Sequence, residues 1–159
     1  MKIKLMVTSL LFVTLVGCQS KSAFKYNEAI LAKGTSLIPQ ITATENKVKD
    51  FLSSDKFDSV AAAGQRMEEL VQQKIDEIKS MKVPKAKEAD NFKLASLRYF
   101  EYIKRMYTGY KDLGNAVNPE AREKVLEDLR EIINGKQAAI NDMQAVQRKF
   151  ANANGFKVK

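Results

Sequence analysis

The chain has no histidine, no tryptophan and one cysteine, Cys18, in 159 residues. Without histidine it lacks the side chain that titrates near neutral pH and the commonest metal ligand. A Ser-His-Asp triad cannot be assembled, nor the Glu-x-x-His pairs of di-metal bundles, nor a Cys-x-x-Cys-His haem attachment. One cysteine excludes a disulfide framework, a thiolate zinc site and CxxC redox chemistry. Proline (3) and glycine (7) are scarce, so turns are few and the elements are expected to be long. Gly34, Gly64, Gly109, Gly114, Gly135 and Gly155 each stand alone, which leaves no glycine-rich phosphate loop. Strict apolar–polar alternation is sustained nowhere, which argues against strands.

What remains is a globular balance of 45% hydrophobic and 29% charged residues, and a length that suits one domain. Apolar residues recur at alternating spacings of three and four, the signature of packed helices. The seams predict four helices. Ile30, Gly34, Leu37, Ile41, Thr44, Val48 and Phe51, with Ile38 and Leu52 beside them, give a helix near 24–52, kinked at Pro39. Phe57, Val60, Gly64, Met67, Val71, Ile75, Ile78 and Met81 give a second near 55–81, with Ser54 and Asp55 as candidate caps. Phe92, Ala95, Tyr99, Ile103, Met106, Tyr110, Leu113 and Val117 give a third near 86–116, beyond Val83-Pro84. Asn118-Pro119-Glu120 opens the fourth, near 119–154, whose seam is Val125, Leu129, Ile132, Ile140, Met143, Val146 and Phe150. Gly155 is its expected stop. Connections of a few residues force antiparallel neighbours. The expectation is an all-α, elongated up-down-up-down four-helix bundle over 24–156, with a basic tail at 157–159. Thr42-Ala43-Thr44 and Ala61-Ala62-Ala63-Gly64 are small and level with Tyr107 and Tyr110, so small residues are expected to face large rings.

Little in the sequence points to chemistry. Glu68-Glu69, Asp76-Glu77 and Glu127-Asp128 are adjacent pairs, whose side chains diverge by about 100° on a helix. They lie among lysines and arginines and read as solvated faces rather than acid/base pairs. No enzyme activity, cofactor or metal is expected. The aromatic cluster Tyr99, Phe100, Tyr102, Tyr107 and Tyr110 reads first as core with hydroxyls at the rim. Its alternative is a ligand or contact patch formed by Tyr99, Phe100, Tyr107 and Tyr110. Lys93, Lys104 and Lys111 form a basic stripe close to Phe100 and Tyr107.

The N-terminus carries Lys2 and Lys4 before an apolar run of twelve residues, Leu5 to Val16. That run is too short to cross about 30 Å of hydrocarbon but suits a secretory signal. It ends Leu15-Val16-Gly17-Cys18, which resembles the lipobox of bacterial lipoproteins. The resemblance implies cleavage between Gly17 and Cys18, diacylglycerol on the Cys18 thiol and acylation of the new amine. The alternative is an ordinary cleaved signal with an incidental cysteine. A signal at 1–17 leaves a lipid-anchored linker at 18–23 and 142 mature residues (159 minus 17), with net charge +6 after Lys2 and Lys4 leave the +8 total. Gln19 in place of Asp resembles the outer-membrane sorting pattern of lipoproteins. Export makes nucleic acid an improbable partner. Up-down-up-down topology gathers Lys21, Lys25, Lys79, Lys82, Lys85, Lys87, Lys157 and Lys159 at the anchored end, where an anionic leaflet would attract them. The other end mixes charges of both signs.

The stretch from Lys25-Tyr26-Asn27 through Asp58, and Phe92-Lys93-Leu94-Ala95-Ser96-Leu97-Arg98-Tyr99-Phe100, resembles a helical-bundle surface-lipoprotein family of spirochaetes and Bacteroidetes. That resemblance implies neither an activity nor catalytic residues. The expected function is a non-enzymatic envelope or surface lipoprotein that contacts an unidentified envelope or surface protein. The alternative is a bundle that holds an apolar or anionic small molecule near the third-helix tyrosines.

Overall fold

The computed structural model describes residues 16–158, with residues 16–19 described by their backbone alone. Its helices are α1 (Val16–Leu52), α2 (Phe57–Ser80), α3 (Ala89–Asn115), α4 (Pro119–Asn134) and α5 (Lys136–Ala153). α4 and α5 form a single leg bent at Gly135, so the fold is an all-α four-helix bundle. Among the described residues there is no strand.

The fourth leg departs from the single helix expected at 119–154. Asn134-Gly135 is its weakest helical pair. There the Gly135 N–H donates to both the Glu131 and Ile132 carbonyls, each at 3.1 Å. α1 runs unbroken through Pro39 and starts earlier than expected. The expected 18–23 linker is helical, because no Gly or Pro interrupts it and Ala23 is already fully buried. Ser54 and Asp55 do not cap α2. Lys56 takes the N-cap position without a side-chain bond. Asp55 instead adopts φ 53° just past the end of α1. Lys56 N–H returns to the Phe51 carbonyl and Asp55 N–H to that of Leu52, the paired bonds of a Schellman ending. Asn118 caps α4 as expected, its side chain accepting from Ala121 N–H at 2.8 Å. Gly155, at φ 72°, closes α5 as expected: Phe156 N–H donates to the Ala151 carbonyl.

α2 and α3 form the tightest pair. A methyl group at Gly64 would lie 2.8 Å from the Tyr107 carbonyl oxygen, and one at Gly114 would lie 2.5 Å from that of Phe57. Small residues therefore bring two backbones into contact, rather than facing tyrosine rings as expected. α1 packs mainly on α2 and more lightly on α5, while α4 and α5 pack on α3. Leu37, Met67, Val71, Ile75, Ile78, Phe100, Ile103 and Tyr107 fill one core cluster. A second, more aromatic cluster surrounds Tyr26, Phe92 and Phe150. There Phe92 and Phe150 stack at 4.9 Å and Tyr26 meets both edge-on. Val117, expected in the third seam, is 88% exposed because α3 ends before it.

Candidate functional site

Three separate pieces of chain meet at the aromatic end of the bundle. They are the start of α1, the 81–88 connection and the end of α5. Asn154 ties two of them, its Nδ2 donating to the carbonyls of Lys87 and Phe150, both at 2.8 Å. Phe156 ties the third by meeting Phe24 and Phe150 edge-on, each at 5.6 Å. Lys93 finishes α2, its Nζ donating to the Lys79 and Met81 carbonyls at 2.8 Å. A cation there complements the negative end of the helix dipole.

Lys21, Lys25, Lys79, Lys82, Lys85, Lys87 and Lys157 are all exposed at this end. Among the described residues only Lys79 approaches an acid, Glu101 at 4.0 Å. Glu88 is a nearby acid already engaged. Hydrogen bonds from Asn91 and from Lys149, at 3.1 Å, hold its carboxyl below the usual range. Phe24 stands among these lysines, 44% exposed. Lys159 lies outside the described residues. Gly17 and Cys18 lie on the α1 backbone, where side chains are not described.

The four aromatics read as a possible patch do not share a surface. Phe100 and Tyr107 are buried in the core, while Tyr99 and Tyr110 sit half-buried at the rim. Burial raises the pKa of Tyr99, Tyr107 and Tyr110, and Glu45 adds to the rise at Tyr107 and Tyr110. Three hollows flank the rim residues, one of them a 140 Å³ dent beside Tyr99, Arg98 and Asp142. A second, of 170 Å³, lies between α1, α3 and α5 and is lined by Ile30, Leu31, Gly34, Tyr99, Ile140 and Gln144 among others. The third, of 200 Å³, is lined by Glu45, Tyr102, Met106, Tyr110, Ile133 and Lys136. All three are smaller than the roughly 300–1,000 Å³ of ordinary small-molecule pockets. Two hollows are larger: an open surface trough of 660 Å³ along α2, and one of 620 Å³ between α3 and α4, lined by Tyr102, Arg105, Asp128, Leu129 and Ile132 among others.

The 660 Å³ trough along α2 contains the carboxylates most exposed to a catalytic reading, and their partners occupy them. Glu77 accepts from Lys33 at 2.6 Å and Lys74 at 2.8 Å, and these bonds hold its carboxyl low. Burial pushes the Glu68 carboxyl up, but bonds from Lys111 and Thr108 outweigh it and leave it below the usual range. The basic stripe Lys93, Lys104 and Lys111 is likewise absorbed by α2: Lys104 donates to Gln72 Oε1 at 2.6 Å. Among the described residues no group of three or more acidic or thiol side chains is placed to hold a metal ion. None of the described helices is long and apolar enough to cross a membrane.

Sequence reasoning missed one polar link. Gln147 Nε2 donates to Asn27 Oδ1 at 2.9 Å, joining α5 to α1 in a buried position. Both residues stand at inward positions of their helices, which was the available signal. Compared with protein-family models, curated proteins and solved structures, the chain matches none.

Proposed function

We propose that the chain is a non-enzymatic lipoprotein of the bacterial envelope, held by acyl chains on Cys18 and acting through contacts of its helix faces with protein. The single observation that carries this reading is the gathering of seven exposed lysines from three chain segments at the end where α1 approaches Cys18. The last three residues of the lipobox-like Leu15-Val16-Gly17-Cys18 open that same helix. Acyl chains there would set the lysines against the headgroups, where each contributes about 1 kcal/mol on an anionic leaflet. Phe24, 44% exposed amid them, supplies an apolar side chain that can enter the headgroup–acyl boundary beside basic residues. The small hollows beside Tyr99 and Tyr110, and the paired state of the α2 carboxylates, favour contact over ligand storage or catalysis. Gln19 favours the outer membrane as destination.

The test uses the full chain expressed in a bacterial host. Labelled palmitate enters the wild type and not Cys18→Ser, which leaves the membrane fraction. In vesicles containing the lipidated protein, Lys25, Lys85 and Lys157 are acetylated more slowly on anionic than on neutral lipid, and high salt abolishes the difference. Equal labelling of Cys18→Ser, with unchanged fractionation, refutes the tether. Equal acetylation on both lipids refutes the docking of the basic end.

A further inference from the structure

The two halves of the fourth leg are held very differently. α5 buries Met143, Gln147, Phe150 and Ala151. Its neighbours hold it through the bond from Gln147 to Asn27, the stack of Phe150 on Phe92 at 4.9 Å and the bond from Asn154 to the Lys87 carbonyl. α4 is nearly as long, sixteen residues against eighteen, yet it buries Leu129 alone. It rests on α3 and touches α5 only lightly. Leu129 sits over Gly109, where an added methyl group would lie 2.5 Å from its Cδ2.

Polar ties do not make up the difference. Among the described residues a single hydrogen bond joins α4 to another helix, from the Tyr102 hydroxyl to the Ile132 carbonyl at 2.8 Å. The ion pair on α4, Arg130 to Glu123 at 3.4 Å, stays within the helix. At the start of α4 the Arg122 guanidinium lies 3.9 Å over the Phe57 ring, but its buried Nε has no hydrogen-bond partner, which offsets the contact. Space remains on both sides of the helix. The 620 Å³ hollow lies on one and the 200 Å³ hollow on the other, and Tyr102 borders both. Both ends of α4 are loose points: Val117, 88% exposed, precedes it and Gly135 follows it.

We infer that α4 is a latch. It lifts from α3 as one unit, with Gly135 and the 116–118 connection as its pivots, while α5 stays seated in the aromatic cluster. A segment opens locally at a free energy set by the apolar surface and the bonds that hold it, and here those are one leucine and one tyrosine hydroxyl. Closed, α4 covers the strip of α3 around Tyr102 and Gly109. Open, it joins the two hollows into one surface and turns out its own Val125, Leu129 and Ile132. The apolar surface that the molecule shows to its surroundings therefore depends on a helix with one buried anchor. The latch does not depend on the tether at Cys18.

Hydrogen–deuterium exchange of the full chain, purified in a non-ionic detergent and read by mass spectrometry, tests it. Amides of 123–134 are expected to exchange together, about a hundredfold faster than those of 60–78 and of 143–153. Leu129→Ala removes the anchor and is expected to speed 123–134 at least about tenfold further, with 60–78 unchanged. Gly135→Ala stiffens the pivot. Its methyl group would meet nothing nearer than the Ile132 carbonyl oxygen at 3.4 Å. It is expected to slow 123–134 about fivefold, the gain of alanine over glycine in a helix. Exchange of 123–134 at the rate of 143–153 overturns the inference, because the leg then moves as one body. So does a Leu129→Ala variant that speeds 60–78 as much as 123–134, or a Gly135→Ala variant in which 123–134 is no slower.

Discussion

Gly34, Gly64 and Gly114 all stand inside helices, yet a methyl group has opposite effects at them. At Gly64 and Gly114 it collides with the backbone of the opposing helix. Gly64→Ala and Gly114→Ala are therefore expected to cost about 1–3 kcal/mol or more, since the best-packed pair in the molecule must separate. Gly34→Ala is expected to add about 1 kcal/mol. Urea denaturation midpoints of the three variants check both signs. Tyr26 makes a second case at this scale. Its hydroxyl is buried without a hydrogen-bond partner, and burial, with help from Asp90, pushes its ionisation from 10.0 up to about 12. The folded state thus keeps a proton that the unfolded chain releases. This contribution to stability is whole below pH 10 and is lost as the pH rises from 10 towards 12. Tyr26→Phe should be neutral or stabilising by up to about 1 kcal/mol at pH 7, because it removes an unsatisfied polar group. Its stability should also fall less steeply in alkali, as denaturation at several pH values will show.

α3 explains most of the distance between sequence and structure among the elements. Phe92, Ala95, Ile103 and Leu113 of its expected seam are buried, but Tyr99, Met106 and Tyr110 of that seam are only half-buried while Phe100 and Tyr107, outside it, lie in the core. α3 is packed on one side by α2 and on another by α4 and α5. Two apolar stripes are buried to different depths, and periodicity cannot rank them. α2 has one dominant partner, and its seam was legible almost residue for residue from Val60 to Ile78. The start of α4 and the end of α5 were equally legible, since Asn118-Pro119 and Gly155 act through local backbone chemistry. The start of α1 was not, because polar residues before Phe24 concealed the buried Ala23. Ion pairs join α2 to its neighbours, with Glu77 reaching Lys33 on α1 and Glu68 reaching Lys111 on α3. Both carboxyls are held below their usual range, so the stabilisation is present above the unfolded carboxylate pKa and is lost as the pH falls through the folded value. Glu77→Gln is expected to cost about 0.5–1 kcal/mol at pH 7 for a partly exposed pair. The variant and the wild type should converge in acid, which paired denaturation series at pH 7 and below pH 3 can follow.

At the scale of the whole molecule, topology does what no single motif could. An up-down-up-down path returns the start of α1, the 81–88 connection and the end of α5 to one place, and lysines scattered over the sequence become one basic end. That gathering could be anticipated from the sequence because it requires only helix count and short connections. The light α1–α5 contact depends on the interruption of the fourth leg at Gly135 and on how α1 packs on α2, neither of which a periodicity encodes. The central claim is that this end is fixed to a bilayer through Cys18, and the mass of the N-terminal peptide from membrane-extracted protein tests it most directly. The account predicts a chain that starts at Cys18 and carries a diacylglyceryl group with a further acyl chain. A mature chain that starts at another residue, or one with an unmodified Cys18, would contradict it.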